Sequence, residues 1–154
     1  MVADPEHIPC WQRLDARITT SGRIAAGDIA RLAEIGVGHV INLALDDSPG
    51  ALADEATLMA EAGLRYSHIP VPFGAPDDAH FAAFRAALET SIEPVHVHCI
   101  MNWRVSAFFY RYNCDVRGMD EAAARAVMEH HWSPEESENP DAPAWARFIK
   151  AGGD

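Results

Sequence analysis

The amino-acid sequence predicts a single α/β domain with a central, mostly parallel sheet of about four to five strands, flanked by helices. A nearly continuous apolar run at residues 39–45 is typical of a strand buried on both faces, residues 65–71 are read as a second buried strand, and residues 94–98 as a third strand. Helical patterns separate these runs, and strands that alternate with helices form parallel units with right-handed crossovers. A length of 154 residues corresponds to one domain, which we take as residues 1–154.

The first half of the chain is predicted to contain two strands, each followed by a helix. Residues 16–20 are predicted as a strand that a Ser-Gly turn ends, and residues 28–34 as a helix with one apolar face. The buried strand at residues 39–45 leads through the turn sequence DDSPG into an alanine-rich helix at residues 51–62, which ends at Gly63.

The second half predicts two more strands and four helices. After the strand at residues 65–71, the sequence PFGAP cannot continue a strand or a helix, and Asp77 or Asp78 can cap the helix that follows. The strand at residues 94–98 leads into a helix at residues 104–113. Two further helices are predicted, at residues 120–130 and 140–149, and the last should pack Trp145 and Phe148 on the body of the domain.

Composition and charge exclude several classes of function. The 12 basic and 23 acidic residues give a formal net charge of -11, which disfavours binding to nucleic acid. No apolar run approaches the ~20 residues that a membrane span needs. The three cysteines match no disulfide or metal framework, which favours reduced thiols, and the N-terminal segment does not resemble a secretory signal. These features predict a cytoplasmic protein.

Cys99 stands where a ligand site is expected in this class of fold. It follows the strand at residues 94–98 and precedes a helix, so exposed amides and the helix dipole should converge on it. Helix N-termini and nearby cations favour the thiolate form of a cysteine, which is the nucleophile. Arg104 can present a forked guanidinium to a tetrahedral anion, and Ser106 can donate to a leaving thiolate.

The segment VHVHCIMNWRVSAFFYRY resembles the active-site segment of the cysteine-based protein tyrosine and dual-specificity phosphatases, whose pattern is HCxxGxxRS. Upstream, ITTSGRIAAGDIARLAEIGVGHVINLALDD and RYSHIPV resemble a bacterial branch of predicted phosphatases related to the phosphatase domain of beta-lactamase-hydrolase-like proteins. The similarity covers residues 17–112 and implies a dual-specificity-phosphatase-like fold. It also implies that Cys99 is the nucleophile, that His98 tunes its ionisation, and that Ser106 assists breakdown of a phosphocysteine.

The chain departs from the family pattern inside the loop. Asn102 stands at the position of the family glycine, and Val105 at that of the family arginine, so that Arg104 comes one residue early. Side-chain direction changes by about 100° per residue in a helix. Either the loop is re-routed so that Arg104 still points inward, or the site has lost its phosphate clamp.

The general acid and the substrate contacts are predicted from position. In these phosphatases an aspartate on a neighbouring loop protonates the leaving oxygen, and Asp77 and Asp78 are the nearest candidates, although both also suit a helix cap. The loop residues His98, Ile100, Met101, Asn102 and Trp103 are expected to contact the substrate, with Trp103 as a wall for an aromatic group. Without an acid, aryl phosphates are favoured because their leaving groups need less protonation.

These features predict a cysteine-dependent phosphatase that hydrolyses phosphotyrosine-like or small aryl phosphates and needs no metal or cofactor. Its expected partners are a phosphorylated small molecule or a phosphoprotein, with phosphate or sulfate bound at the Cys99 loop. One alternative is an inactive phosphate- or phosphoprotein-binding module, and another is sulfur transfer of the rhodanese type. A weaker hypothesis is a metal site that His96 and His98 form with Cys99, or with His130 and His131. It is weaker because a histidine on a central strand is typically part of the core.

Overall fold

A computed structural model describes residues 2–151 and places five strands in one sheet of order β1-β2-β5-β3-β4. The strands are β1 (Gln12–Arg13), β2 (Ile18–Ser21), β3 (His39–Asn42), β4 (Arg65–His68) and β5 (Val95–His98). All neighbouring pairs are parallel except β1 and β2, which are antiparallel. The described helices are α1 (Asp28–Glu34), α2 (Glu55–Glu61), α3 (Asp78–Glu89), α4 (Trp103–Asp115), α5 (Glu121–Glu129) and α6 (Ala142–Ala151).

The register of the sheet determines which loops meet. At the end of β5, His98 lies between Ser21 of β2 and Asn42 of β3. Because parallel strands end at the same edge of a sheet, the segments after β2, β3, β4 and β5 share that edge. Cys99, which follows β5, therefore lies at the centre of the edge.

Two apolar layers cover the two faces of the sheet. One contains Ile29, Leu32 and Met59, from α1 and α2, with Val40 of β3. The larger layer is rich in aromatic rings from α3, α4 and α6, and Phe84 meets Phe108 edge to face with ring centroids 5.5 Å apart. This layer holds α4 rigidly behind the loop that starts at Cys99.

The structure confirms the predicted α/β class and most of the elements. The helix at residues 28–34 is observed with those bounds, and Asp77 caps α3, where its side chain accepts from the amide of His80 at 2.9 Å. Trp145 and Phe148 are buried, as predicted. The prediction of a doubly buried strand at residues 65–71 was wrong, because β4 is an edge strand of four partly exposed residues. The two-residue strand β1 was not predicted, since so short a segment has no periodicity to detect.

Candidate active site

The loop of residues 99–102 is held in place by the segment that follows β2. The amide of Arg23 donates to the carbonyl of Ile100 at 2.9 Å, and the amide of Cys99 donates to the carbonyl of Ser21 at 3.4 Å. Gly22 packs so closely that a Cβ there would overlap the carbonyl oxygen of Ile100. The first N–H groups of α4 have no acceptors within the helix, so they are available to an anion at this loop.

Asn102 allows the loop to turn into α4. Its backbone is left-handed, with φ 63 and ψ 9, which explains why asparagine can replace the family glycine here. Its side chain is buried and donates to the carbonyl of Cys10 at 2.9 Å and to Oγ1 of Thr20 at 3.0 Å. Asn102 therefore fixes the back of the loop, whereas the sequence predicted that it would contact the substrate.

Arg104 reaches the same cleft as Cys99, which favours the re-routed loop over the loss of the clamp. Its Nη1 donates to the carbonyl of Val71 at 2.9 Å, and its guanidinium carbon lies 5.7 Å from the centre of the Phe73 ring. A guanidinium has five N–H donors, so this contact leaves others for a ligand. Val105, at the family arginine position, is fully buried in the core.

A cleft of about 360 Å³ opens above Cys99, although the residue itself is only 1% exposed. Its walls are mostly apolar, and its polar lining residues are Cys99, Arg104, Ser48 and Asn139. The full lining consists of Leu45, Ser48, Pro49, Phe73, Cys99, Ile100, Met101, Trp103, Arg104 and Asn139. The predicted contacts Ile100, Met101 and Trp103 are thus in the lining.

The aromatic wall of the cleft is supported from behind. Trp103 stacks on Trp132 with ring centroids 4.9 Å apart and an interplanar angle of 7°. The indole N–H of Trp132 donates to the carbonyl of Trp103 at 3.0 Å, and that of Trp145 donates to the carbonyl of Phe73 at 2.6 Å. Both aromatic residues of the wall, Phe73 and Trp103, are therefore fixed by α6 and the segment before it.

His98 lies behind the loop and forms a buried pair with Glu55, the first residue of α2. The Nε2 of His98 is 2.7 Å from a carboxylate oxygen of Glu55, and the two side chains are 3% and 6% exposed. Its Nδ1 lies 3.2 Å from the carbonyl oxygen of Cys99. Tyr66 lies beside the same carboxylate, and burial together with the Glu55 charge raises the pKa of Tyr66 above its ordinary value.

His96 belongs to the core and is hydrogen-bonded through both ring nitrogens. Its Nδ1 and Nε2 are each 2.8 Å from a hydroxyl oxygen, that of Thr19 and that of Ser21 respectively. Complete burial holds the pKa of His96 well below the ordinary value, so the ring is neutral. Within residues 2–151, no group of three or more His, Cys, Asp or Glu side chains is arranged to hold a metal ion.

Three of the predicted catalytic residues lie outside the lining of the cleft. The hydroxyl of Ser106 donates to the carbonyl of Trp103 at 3.1 Å, one turn back in α4. Asp77 is engaged in a capping box with His80, and Asp78 pairs with Arg111 at 3.0 Å. Both aspartates line a separate cleft with Arg147 and Phe148. Asp77 and Asp78 stand at the start of α3, where the cap and the ion pair engage their side chains.

Several residues of the site were missed by the sequence analysis. Leu45, Ser48 and Pro49 belong to a segment that was predicted only as a strand end and a turn, and Asn139 to a polar loop. Glu55 was predicted only as part of an alanine-rich helix at residues 51–62. The aspartate-rich turn before α2 and the proline-marked loop before α6 both suggest long connections at the sheet edge, but neither pattern says which side chain points inward.

The chain was compared with known proteins. Residues 12–110 match the family model described as the phosphatase-like domain of beta-lactamase hydrolase-like protein. The chain belongs to this family. The matched region contains the whole sheet and the Cys99 loop, and it ends within α4. No curated protein sequence matches the chain.

The fold of this phosphatase-like domain is shared with solved structures of other proteins. A DUF442 protein from Shewanella putrefaciens CN-32, described as a candidate phosphatase, is 28% identical; the match covers 98% of this chain and 97% of that chain, with a TM-score of 0.81. TpbA from P. aeruginosa, solved in complex with pTyr, is 22% identical; the match covers 99% and 92% of the two chains, with a TM-score of 0.70. A candidate phosphatase from Neisseria meningitidis z2491 is 17% identical; the match covers 88% and 96%, with a TM-score of 0.67.

Membrane spans and cysteine pairing were two subjects of the composition-based expectations. In the part of the chain that the structure describes, no helix is long and apolar enough to cross a bilayer. The three cysteines are unpaired, with Cys10 exposed, Cys99 buried and Cys114 in between. Burial and the nearby Cys99 raise the pKa of Cys10 above its ordinary value.

Proposed function

We propose that this phosphatase-like domain hydrolyses phosphomonoesters through a phosphocysteine formed on Cys99. The observation that supports this most is that Cys99 and Arg104 line one cleft at the N-terminus of α4. A helix N-terminus and a guanidinium together provide donors for the equatorial oxygens of a phosphoryl group. The Val71 carbonyl holds the guanidinium in place, so little side-chain order has to be gained on binding.

In the proposed reaction, the Cys99 thiolate attacks phosphorus, and the bond from phosphorus to the ester oxygen breaks. The alcohol leaves with a proton taken from solvent. Water then attacks the phosphocysteine, the sulfur–phosphorus bond breaks, and inorganic phosphate leaves with regeneration of the thiolate. Loop amides and Arg104 stabilise the charge on the transferring group in both steps.

The cleft favours an aryl ester. Phe73 and Trp103 form a supported aromatic wall, and Met101 is exposed at the loop. Asp77 and Asp78 are held elsewhere by a helix cap and an ion pair, so a leaving group that needs little protonation is suited to this site. The pTyr bound by TpbA, which has the same fold, supports the same class of substrate.

The test measures hydrolysis of p-nitrophenyl phosphate, which has a good leaving group. We expect Cys99→Ser to lower kcat/KM on the order of 10³-fold or more, because the nucleophile is removed. We expect Arg104→Lys to lower it by roughly 10–100-fold, since one ammonium cannot bond the Val71 carbonyl and also fork onto two phosphoryl oxygens. Mass spectrometry of the quenched wild type should find the phosphoryl group on the Cys99 peptide.

Cys114→Ser is the matched control, because that thiol lies outside the cleft lining and should leave hydrolysis unchanged. Hydrolysis that survives in Cys99→Ser would rule out the cysteine mechanism. Phosphate binding at the loop without turnover would instead identify an inactive binding module. Transfer of sulfur from thiosulfate to cyanide, with no phosphate released, would identify the rhodanese-type alternative.

A further inference from the structure

Arg23 places an exposed positive charge near the Cys99 cleft, and its guanidinium has no partner among residues 2–151. Most other basic side chains of the described chain are bonded to carboxylates or to carbonyl oxygens. Within that range, only Arg23 and Arg147 have a guanidinium with neither a hydrogen bond nor an ion pair. In a chain of 23 acidic and 12 basic residues, a cation left free in this way is available to an external anion.

The loop that holds Cys99 also positions Arg23. The amide of Arg23 donates to the carbonyl of Ile100 at 2.9 Å. A Cβ on Gly50 would lie 3.0 Å from Cδ of Arg23 and 3.9 Å from Cγ2 of Ile100, so both side chains pack on this glycine. Ile100 and Pro49, the residue before Gly50, line the Cys99 cleft. The stem of Arg23 therefore lies at the border of that cleft, which Pro49, Gly50 and Ile100 form.

A second cleft, of about 370 Å³, adjoins this border. It has no lining residue in common with the Cys99 cleft, and Arg23 is the basic residue of its described lining. The acidic residue is Asp28, whose two carboxylate oxygens are engaged, one with Nε2 of His7 at 2.7 Å and the other with the amide of Ala25 at 2.8 Å. The lining consists of Pro9, Arg23, Ile24, Ala25, Asp28 and Gly50.

We propose that Arg23 is a specificity-determining residue that binds a carboxylate beside the phosphotyrosine of a peptide substrate. Arg23 lies outside the lining of the Cys99 cleft, so it meets a part of the ligand that extends across the border. Residues next to a phosphotyrosine can reach it, because consecutive Cα atoms are about 3.8 Å apart. A guanidinium forks onto a carboxylate through two parallel hydrogen bonds.

The charge of the chain favours a carboxylate over a second phosphoryl group. A carboxylate brings one negative charge to the one free guanidinium of this described lining, whereas a phosphoryl group brings up to two into a chain of net charge -11. The specificity rests on the proposed function, and it narrows the substrate to phosphotyrosyl peptides with an adjacent acidic residue.

Binding of phosphotyrosyl peptides to the Cys99→Ser protein, measured by isothermal titration calorimetry, tests this specificity without turnover. Each peptide carries a glutamate at one of the two positions before or the two positions after phosphotyrosine, and its matched peptide carries glutamine there. At low salt, we expect one glutamate peptide to bind about three- to five-fold more tightly than its match, as for an exposed ion pair. Added salt should reduce this preference, because it screens the pair.

Substitutions of Arg23 in the same protein assign the preference to this residue. We expect Arg23→Gln to abolish it and Arg23→Glu to reverse it, because two carboxylates repel each other. Arg147→Gln is the matched control, since it removes the same charge from the other unpartnered guanidinium, which lines the separate cleft of Asp77 and Asp78. It should keep the preference of the parent protein. The comparison of matched peptides within each protein cancels any change that affects both peptides equally.

Equal affinities for all matched pairs in the Cys99→Ser protein would overturn the proposal. A preference that survives in Arg23→Gln would also overturn it, and so would one that Arg147→Gln removes to the same extent, which indicates the overall charge of the chain. These outcomes are separate from the hydrolysis test, because p-nitrophenyl phosphate carries no carboxylate. A glutamate preference that depends on Arg23, in a domain that hydrolyses nothing, would support the role of Arg23 while the proposed catalysis fails.

Discussion

At the scale of single residues, Asn102 meets two requirements, of which glycine meets one and alanine meets neither. Its backbone is left-handed, and its buried side-chain amide joins the loop to Cys10 and Thr20. Asn102→Gly keeps the backbone but loses both hydrogen bonds, and Asn102→Ala also strains the backbone. We expect both variants to be less stable than the wild type, with alanine lower than glycine by about 0.5–1 kcal/mol once the larger unfolded-state entropy of glycine is included.

Urea unfolding of the three proteins measures this order. The wild type should have the highest free energy of unfolding, because two buried hydrogen bonds contribute on the order of 1–3 kcal/mol together. The unpartnered Oδ1 of Asn102 reduces this advantage without removing it. An alanine variant as stable as the glycine variant would contradict the expected excess of backbone strain over the unfolded-state entropy of glycine.

A local sequence pattern predicts the residues of the loop better than it predicts their supporting residues. Cys99 and Arg104 are five positions apart in one loop, so a local pattern can place both at the start of a helix. Glu55 lies in another helix, and a glutamate in an alanine-rich helix is typical of a surface position. Its buried side chain contacts His98 of β5, a contact 43 positions away that no local pattern encodes.

At the scale of elements, the segment after β2 and the loop after β5 form one backbone unit. A Cβ on Gly22 would overlap the Ile100 carbonyl oxygen and stand 3.2 Å from the Pro9 carbonyl oxygen, and backbone atoms cannot move aside as a flexible side chain can. We therefore expect Gly22→Ala to displace the Cys99 loop, to cost about 1–3 kcal/mol of stability, and to lower kcat/KM for p-nitrophenyl phosphate.

Gly27→Ala is the control for this substitution. It lies a few residues further along the same connection, where a Cβ would meet nothing within 4 Å and the backbone φ is -67. Thermal unfolding and hydrolysis kinetics of both variants are compared with the wild type. Equal effects of the two substitutions would show that contact with Ile100 is not the cause.

The elements were predicted well where the pattern is long and poorly where the sheet ends. Helix α1 follows from apolar spacing, and helix α3 follows from apolar spacing and from the Asp77 cap. The segment that contains β4 was predicted as a buried strand, whereas its position at the sheet edge depends on topology. The predicted acids Asp77 and Asp78 lie outside the cleft lining. The segment before them packs Phe73 on Trp103, Trp132 and Trp145, and such contacts between distant parts of the chain are not encoded in a local pattern.

At the scale of the whole molecule, buried histidines make stability depend on pH. Burial lowers the pKa of His96 and His39, and it lowers the pKa of His131 to about 4. The unfolded chain titrates these groups near the ordinary value of about 6.5, so it binds more protons than the folded chain just below that pH. The stability that these three histidines contribute is therefore fully present above about pH 6.5, and it is lost as the pH falls toward their folded-state pKa values.

His131→Gln isolates one part of this dependence. The ring nitrogen of His131 lies 2.8 Å from the side-chain oxygen of Gln12, and a glutamine can keep a polar contact there without titrating. We expect the free energy of unfolding of this variant, measured in urea between about pH 7.5 and 5, to fall less steeply than that of the wild type. Protonation of the chain also makes its net charge of -11 less negative and relieves repulsion between acidic groups. The test therefore compares the slope of the free energy of unfolding against pH between the variants and the wild type. His130→Gln, at the exposed neighbouring residue, is the control. If it lowers the slope as much as His131→Gln does, burial of His131 is not the cause of the pH dependence.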